Sequence, residues 1–172
     1  MLEVKWSVIL SKKLLLYAIP KDIKIYLYGS NVQMFGAIGN NNLNKHVFIK
    51  HNCIVVCSHN LKFQLSKLTN NIKGIKHSHI RWMIMRGIGY KISKRLDKLE
   101  IELGFSHTIL FRLEEPTVNL MVNCNKLKIW GCSLNKVTLV AKKLKMLRKT
   151  NVYNGTGIVY RDQRFELKVG KR

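Results

Sequence analysis

The stretch that indicates the fold most clearly is Arg148-Lys149-Thr150-Asn151-Val152-Tyr153-Asn154-Gly155-Thr156-Gly157-Ile158-Val159-Tyr160. A basic segment runs into a Tyr-x-Gly-x-Gly turn, and a short apolar run precedes the tail from Arg161 to Arg172. Two glycines one residue apart allow the backbone to take positive φ and to approach another molecule closely. Between Glu115 and Asp162 the chain has nine Lys and Arg and no acidic residue, so we expect that molecule to be a polyanion.

The whole chain is strongly basic. Its 172 residues include 31 Lys and Arg against 9 Asp and Glu, which gives a net charge of +22 and a pI near 10.2. Residues 1–83 carry twelve cations and two acids, and residues 84–172 carry nineteen and seven, so the charge is not confined to one tail. Nucleic acid is the first interpretation of this charge, and an anionic membrane surface is the second.

The apolar content and its distribution favour a folded chain without a membrane partner. With 47% apolar residues the chain can bury a core, and its length fits one domain or two small ones. The apolar run Leu14–Ile19 ends at Pro20 and is far shorter than the ~20 residues that span a bilayer. The start, Met1 to Trp6, is typical of neither a secretory signal nor an Arg-rich transit peptide.

The first half predicts a group of strands followed by one helix. Alternation and turn residues predict strands at Ile23–Tyr28, Val32–Phe35, Val47–Ile49 and Ile54–Val56. Gly29-Ser30-Asn31 predicts a hairpin turn, and Asn40-Asn41-Asn42 predicts a loop. A helical period then joins Leu61, Leu65, Leu68 and Ile72, and Asn70-Asn71 with Gly74 predicts the end of that helix.

The second half repeats this plan. The predicted strands are Trp82–Ile92, broken by Gly87 and Gly89, and then Leu99–Leu103, Ile109–Leu113, Val118–Val122 and Leu127–Trp130. A helix is predicted from about Leu134 to Arg148 because Val137, Val140, Ala141, Leu144 and Leu147 lie on one face. We therefore expect an α+β fold of two related small domains, each with a sheet packed against one helix.

The C-terminal stretch resembles the signature of the ribosomal protein L-six family of the large subunit. That signature is Pro-x-x-Tyr-Lys-Gly-Lys-Gly-Ile-x-Tyr, followed by a tail that ends in Gly-Lys-Lys. The matching positions are Tyr153, Gly155, Gly157, Ile158 and Tyr160, with Gly170-Lys171-Arg172 at the end of the chain. Thr150 stands at the family proline, and Asn154 and Thr156 stand at the two motif lysines. Two phosphate contacts of the family must therefore be replaced from elsewhere or by a remodelled partner.

Other family motifs follow in the same order along the chain. Ile19-Pro20, Ile23, Ile25, Gly29, Val32, Met34, Gly36 and Gly39 fit the opening pattern of the family without a gap, with Ala37 in place of a proline. Gly87-Ile88-Gly89-Tyr90-Lys91 resembles Gly-Val-Gly-Tyr-Arg, and Leu103-Gly104-Phe105-Ser106-His107 resembles Leu-Gly-Tyr-Ser-His. The resemblance covers residues 19–172. It implies an extension at 1–18, a sheet and helix domain at 19–81, and a domain at 82–172 that binds rRNA and carries the basic tail.

The resemblance implies a structural constituent of the large ribosomal subunit, with large-subunit rRNA and neighbouring ribosomal proteins as partners. The family lies near the factor-binding region, around the sarcin–ricin loop and the base of the stalk. Cations and backbone amides are expected to position phosphates with little readout of bases. The residues expected to contact rRNA are Lys91, Lys94, Lys142, Lys145, Arg148, Lys149, Tyr153, Asn154, Gly155, Thr156, Gly157, Tyr160, Arg161, Arg164, Lys168, Lys171 and Arg172.

The chain offers no convincing catalytic, metal or cofactor site. Glu114-Glu115 and the pair Glu100/Glu102 are interpreted as surface charge, and His107 as a structural residue of a turn. The cysteines are interpreted as reduced, partly buried thiols, because the spacings of Cys53, Cys57, Cys124 and Cys132 do not fit zinc sites. We therefore expect no enzymatic activity, no cofactor and no small-molecule substrate.

Several alternatives remain open from the sequence. His77-Ser78-His79 fits a solvated linker, with a phosphate contact as the alternative, and the lysines at 136, 142, 143 and 145 fit a solvated face or a phosphate-binding one. A stand-alone RNA-binding regulator is the alternative function. The abundance of Asn, Lys and Ile favours a mitochondrial ribosome, with a bacterial or plastid ribosome as the alternative.

Overall fold

The computed structural model describes residues 9–11, 14–18, 22–28, 31–43, 47–50, 53–57, 61–96, 98–164 and 166–170. Within these ranges the chain forms fourteen β-strands and two α-helices, and all strand pairs are antiparallel. The predicted α+β class is therefore confirmed. The chain divides into two compact units, Met1–Ser78 and His79–Arg172, so the division falls three residues before the predicted boundary.

A four-stranded sheet of the first unit begins inside the segment that was predicted as an extension. Its strands are β1 (Ile9–Ser11), β2 (Leu14–Ala18), β6 (Val47–Lys50) and β7 (Cys53–Cys57), in the order β1-β2-β7-β6. The apolar run that is too short to cross a bilayer is long enough for a strand, and β2 pairs along its whole length with β7. Residues 9–11 and 14–18 thus belong to the fold of this unit.

A second sheet of the first unit consists of β3 (Lys24–Tyr28), β4 (Asn31–Phe35) and β5 (Asn40–Leu43), in that order. It confirms the predicted hairpin of the first two strands, whose turn residues Gly29 and Ser30 lie outside the described residues. The prediction of a loop at Asn40–Asn42 is wrong. The Gly36 N–H donates to the Gly39 carbonyl at 3.0 Å, and this turn returns the chain along β4. Residues 40–43 then pair with β4 although three of the four are asparagines.

Helix α1 spans Leu61–His77 and is longer than predicted. Leu68, Ile72 and Ile75 are buried on one face, so the apolar period continues past the asparagines and Gly74, where the end was predicted. The helix packs against β2, β5 and β7. Because it ends at His77 and the next strand begins at His79, only Ser78 joins them, and the prediction of a linker is wrong. No helix in the described residues is long and apolar enough to cross a membrane.

The main sheet of the second unit has four strands. They are β8 (His79–Arg86), β12 (Val118–Asn123), β13 (Lys126–Gly131) and β14 (Gly157–Tyr160), in the order β12-β13-β8-β14. The last strand among the described residues therefore pairs with the first strand of the unit. This pairing places the end of the glycine-containing stretch beside β8, with Val159 opposite Ile84.

A smaller sheet completes the second unit. It consists of β9 (Lys91–Arg95), β10 (Lys98–Glu102) and β11 (Ile109–Arg112), in the order β11-β10-β9. The alternation predicted for Leu99–Leu103 is confirmed, because Leu99 and Ile101 are buried while the residues between and beside them are not. The glycine pair at 87 and 89 lies in the turn between β8 and β9 rather than inside one long strand.

Helix α2 spans Leu134–Leu147, as predicted, and covers one face of the main sheet. It packs against β8, β13 and β14, and Val137, Val140, Ala141 and Leu144 are buried in that contact. Burial of one such Leu or Val stabilises the fold by roughly 1.5–3 kcal/mol. The core of the unit joins this helix face to both sheets through residues such as Met83, Leu103 and Ile129. The helix is therefore a rigid support for the segment that follows it.

Candidate nucleic-acid interface

Two of the four lysines on the outer side of α2 are engaged by acids. Lys136 forms an ion pair with Glu115 at 2.9 Å, and Lys143 forms one with Glu114. The hydrogen bond from Lys143, together with its positive charge, lowers the pKa of Glu114 below its usual value. Both adjacent glutamates therefore pair with lysines of the helix. The remaining charge of this face comes from Lys142 and Lys145.

Lys142 and Lys145 differ in their surroundings. The Lys145 ammonium donates to Gln163 at 2.7 Å and lies 4.8 Å from the centre of the Tyr160 ring. These contacts fix its position while leaving its charge without a carboxylate partner among the described residues. Lys142 is exposed. Both predicted contact residues are thus cations that no described acid neutralises.

The end of α2 carries a cluster of one cation and two rings. The Arg148 guanidinium lies 4.6 Å from the centre of the Phe105 ring, and Phe105 stacks on His107 with 6.4 Å between ring centres. Phe105 and His107 are exposed, and Arg148 is half-buried. Stacking on an aromatic ring holds a guanidinium in place and leaves its N–H groups at the edge for an anion. The sequence predicted Arg148 but not its support by Phe105.

The Tyr-x-Gly-x-Gly turn is held by its own backbone. The Asn151 N–H donates to the Thr156 carbonyl at 2.8 Å, and the Gly155 N–H donates to the Asn151 carbonyl at 2.9 Å. The Asn151 side chain also accepts a hydrogen bond from the Tyr153 N–H at 2.9 Å. Gly155 has φ of 66° and Gly157 has φ of 139°. The expected positive φ at both glycines is therefore present.

The two glycines face the protein rather than the solvent. Gly155 and Gly157 are buried, and a Cβ atom on Gly157 would lie 2.9 Å from the Lys149 carbonyl oxygen. The close approach that we expected of the glycines is thus an approach to the neighbouring backbone of the same chain. The exposed side of the turn consists of Asn151, Val152, Tyr153 and Asn154, beside the exposed Lys149.

The tail returns to this turn. The Arg161 N–H donates to the Trp82 carbonyl at 3.0 Å, and the Lys168 N–H donates to the Val152 carbonyl at 3.0 Å. Arg161, Arg164 and Lys168 are exposed. The predicted contact residues Lys171 and Arg172 lie outside the described residues. Helix end, turn and tail therefore form one cationic surface, here called the turn surface, which comprises Lys142, Lys145, Arg148, Lys149, Tyr153, Asn154, Tyr160, Arg161, Arg164 and Lys168.

The two predicted lysines of β9 do not lie together. Lys91 and Lys94 are three residues apart in one strand, so their side chains point to opposite faces. The Lys94 ammonium donates to the Leu120 carbonyl at 3.3 Å and lines a cavity of about 400 Å³. Lys98 and Arg112 line the same cavity. These two cations were missed from the sequence, because only the pairing of β10 with β9 and β11 brings them beside Lys94.

Metal ligands do not cluster in the part of the chain that the structure describes, where no group of three or more His, Cys, Asp or Glu could hold a metal ion. The Cys132 side chain is buried, and burial raises the pKa of its thiol. Cys124 is exposed in the turn between β12 and β13.

Proteins that are similar to this chain in sequence are large-subunit ribosomal proteins of bacteria. No protein-family model matches the chain. The large ribosomal subunit protein uL6 of Persephonella marina is 36% identical over 104 residues, which is 60% of this chain and 58% of that protein. The protein of the same name from Tropheryma whipplei (strain Twist) is 35% identical over 105 residues, again 60% of this chain and 58% of that protein.

A third relative covers nearly the whole chain. The large ribosomal subunit protein uL6 of a Hydrogenobaculum species is 30% identical over 167 residues, which is 90% of this chain and 91% of that protein. The chain therefore belongs to the uL6 family of large-subunit ribosomal proteins, the family that its motifs resemble. The region matched to each of the first two relatives covers 58% of the length of that relative.

Proposed function

We propose that this chain is a structural constituent of the large ribosomal subunit and binds large-subunit rRNA through the turn surface of its second unit. The observation that carries the proposal is the distribution of charge around the turn. Glu114 and Glu115 are engaged by Lys143 and Lys136, and no further acid follows until Asp162. Around the turn, which its own hydrogen bonds hold, lie five cations that form none of the described ion pairs: Lys142, Lys145, Arg148, Lys149 and Arg161.

The proposed mechanism is the positioning of phosphates by fixed cations. Lys145 is held by Gln163 and Tyr160, and Arg148 is held by Phe105, so both lose little side-chain freedom when a phosphate binds. Each neutralised phosphate releases condensed counterions, which makes binding strongly dependent on salt. The exposed Lys149 and Tyr153 flank the same site and extend it towards the tail.

We propose further that the bound rRNA lies near the sarcin–ricin loop and the base of the stalk, beside neighbouring large-subunit proteins. The support is the resemblance of the motifs at residues 87–91, 103–107 and 153–160 to those of the family. Chemical probing of the rRNA in particles with and without the chain tests this position. Protection confined to the sarcin–ricin region and stalk base is expected, whereas protection only in distant helices contradicts the placement.

The composition supports a mitochondrial ribosome as the compartment, and a bacterial or plastid ribosome is the alternative. The support is the excess of Asn, Lys and Ile over their usual frequencies, which is typical of chains encoded by AT-rich organellar genomes. The three relatives described above come from bacteria. Immunodetection in purified organelles of the native source tests the proposal. Recovery with organellar ribosomes is expected, and recovery in particles from outside any organelle contradicts it.

The dependence of rRNA binding on salt tests the proposed function itself. For the parent chain and a large-subunit rRNA fragment, the affinity should fall steeply as salt rises. Lys142→Gln should reduce the slope of log K against log salt by about 0.7–0.9, the value for one phosphate contact. Lys136→Gln is the matched control, because its ammonium is already paired with Glu115. Equal slopes for the parent and Lys142→Gln, or no binding at all, contradict the proposal.

A further inference from the structure

The face of the main sheet that points away from α2 carries two tryptophans around one lysine. Lys128 lies directly opposite Trp82 in the pairing of β13 with β8, and Trp130 lies two residues further along β13. The Lys128 ammonium lies 5.5 Å from the centre of the Trp82 ring and 5.4 Å from the centre of the Trp130 ring. We call this surface the tryptophan face and define it by Ile80, Trp82, Met121, Lys126, Lys128 and Trp130.

The alternation of the strands places these residues on one side. Met83, Leu127 and Ile129 are their neighbours in sequence, point towards α2 and are buried. On the opposite side, Ile80 is 44% exposed and Met121 is 51% exposed, and both indoles are partly exposed. Four apolar or aromatic side chains on one sheet face are thus accessible to a partner.

The charge of this face selects the class of its occupant. The sequences of β8, β12, β13 and β14 contain no acidic residue, whereas Lys126 and Lys128 lie on the tryptophan face. A partner must therefore bring negative charge together with flat apolar groups. Unpaired nucleotides combine both, because their bases stack on aromatic side chains while their phosphates pair with cations.

The Lys128 ammonium gives the two indoles a fixed arrangement. A cation held over an aromatic ring is attracted by the negative face of that ring, and here one ammonium holds two rings. This attraction favours one arrangement of the two rings before any partner arrives, which reduces the entropy that binding loses. Cross-strand packing explains the contact between the three side chains, and the exposed Met121 and Ile80 extend the apolar surface beside them.

We propose that the tryptophan face binds unpaired nucleotides of RNA, with one base stacked on Trp82, another on Trp130, and phosphate near Lys126 and Lys128. The proposal rests on the proposed function and adds to it a second contact of different chemistry. The turn surface pairs cations with phosphates and is indifferent to base pairing, whereas a stacking surface requires bases that are free of a helix.

The test uses the intrinsic fluorescence of the full chain. The sequence has three tryptophans, so Trp6→Phe leaves only Trp82 and Trp130 as emitters. A single-stranded 12-nucleotide oligoribonucleotide without self-complementarity should quench this emission in a saturable way, and a duplex of the same length should quench it much less. Binding of both RNAs is followed separately through a fluorescent label on the RNA. Bound single strand without quenching overturns the proposal and leaves the proposed function intact.

Substitutions supply the second arm. Trp82→Leu and Trp130→Leu should each weaken binding of the single strand at least about fivefold, the low end for loss of one stacked base, and should leave duplex binding nearly unchanged. Leu110→Ala is the matched control, because it removes an exposed apolar side chain from β11 of the smaller sheet rather than from the tryptophan face. Thermal unfolding identifies any variant that has lost its fold. For such a variant the substitution gives no result, and the quenching of the Trp6→Phe chain decides whether the proposal holds. If folded variants lose affinity equally for the single strand and the duplex, the proposal is overturned. If the parent chain binds neither RNA, both this proposal and the proposed function are contradicted.

Discussion

A Cβ atom on Gly157 would lie 2.8 Å from the Cα atom of Thr150. At this point the backbone that leaves α2 and the backbone that enters β14 pass each other too closely for any side chain. The Ile158 N–H donates to the Arg148 carbonyl at 3.3 Å beside this crossing and joins the same two segments. The glycine thus holds the turn surface together from inside, and its own contact with RNA is not needed to explain why a glycine stands there.

Gly157→Ala should therefore destabilise the second unit. The φ of 139° strains any L side chain by about 1–3 kcal/mol, and the overlap with the Thr150 backbone adds a comparable cost. Gly89→Ala is the matched control, because Gly89 also has positive φ, at 76°, but a Cβ there meets no atom within 4 Å. Chemical unfolding should show a larger loss for Gly157→Ala by about 2 kcal/mol. Equal losses of unfolding free energy in the two variants would mean that the two backbone segments move apart without cost to admit a side chain.

The same crossing predicts an effect on RNA. Gly157→Val should weaken rRNA association more than Thr156→Ala does, because it disturbs the whole turn rather than one partly buried side chain. The comparison is made across a salt series with purified chain and an rRNA fragment. If Gly157→Val binds like the parent while Thr156→Ala does not, then side chains alone hold this turn on RNA.

Thr150→Val should stabilise the chain. The Thr150 hydroxyl is buried and has no hydrogen-bond partner among the described residues, and such a group costs about 1–3 kcal/mol. Valine has nearly the same shape without the hydroxyl, so we expect a gain of about 1 kcal/mol in the free energy of unfolding. Thr138→Val is the control, because the Thr138 hydroxyl donates to the Leu134 carbonyl at 2.8 Å. A loss of stability in both variants would show that Thr150 has a partner.

Glu114→Gln should strengthen RNA binding by releasing Lys143. The parent keeps this ion pair at neutral pH, because the hydrogen bond from Lys143 lowers the pKa of Glu114. Because the pKa of Glu114 is lowered in the folded state, the Glu114–Lys143 ion pair is fully formed at pH values above the usual pKa of a carboxyl group. The ion pair is lost only as the pH falls through the lowered pKa. At pH 7 the freed ammonium should steepen the salt slope by about 0.7–0.9.

Glu102→Gln is the matched control for this release, since it changes the net charge equally at an exposed acid in β10. The described residues give Glu102 no ion pair. An equal effect of both variants would show that total charge matters rather than the release of Lys143.

The tail should change its susceptibility to trypsin on binding. Arg161, Arg164 and Lys168 are exposed cleavage sites, and the described backbone contact of the distal tail is the single hydrogen bond between Lys168 and Val152. We expect rapid cleavage in the free chain and protection in the ribosomal particle, because so charged and short a segment gains its order from rRNA. Equal protection in both states would show that the tail packs stably on its own unit.

Much of the fold was predictable where one periodic pattern dominated. The face of α2 with Val137, Val140, Ala141 and Leu144, and the alternation around Ile101, follow directly from burial on one side. The strand at Asn40–Leu43 was not predictable from side chains, because its pairing depends on a turn closed between Gly36 and Gly39. The end of α1 was placed too early for a related reason. Local helix-breaking residues are overridden there by burial of Ile75.

The candidate site was predictable as a list of cations but not as an arrangement. Sequence identifies Lys142 and Arg148, yet the support of Arg148 by Phe105 and the engagement of Lys143 by Glu114 join residues 43 and 29 positions apart. The inward orientation of the glycines could not be read from the motif either. Positive φ is compatible with close approach to RNA or to the chain itself, and only the packing against Thr150 distinguishes the two.

The most direct test of the central claim is the sedimentation of the native chain. A sucrose gradient of a lysate from the native source separates large subunits, small subunits and free protein. If the chain is a structural constituent of the large ribosomal subunit, it should travel with the large subunit in about equal amount to that subunit's other proteins and should remain there through a moderate salt wash. Recovery only in the soluble fraction or in membranes would contradict the account.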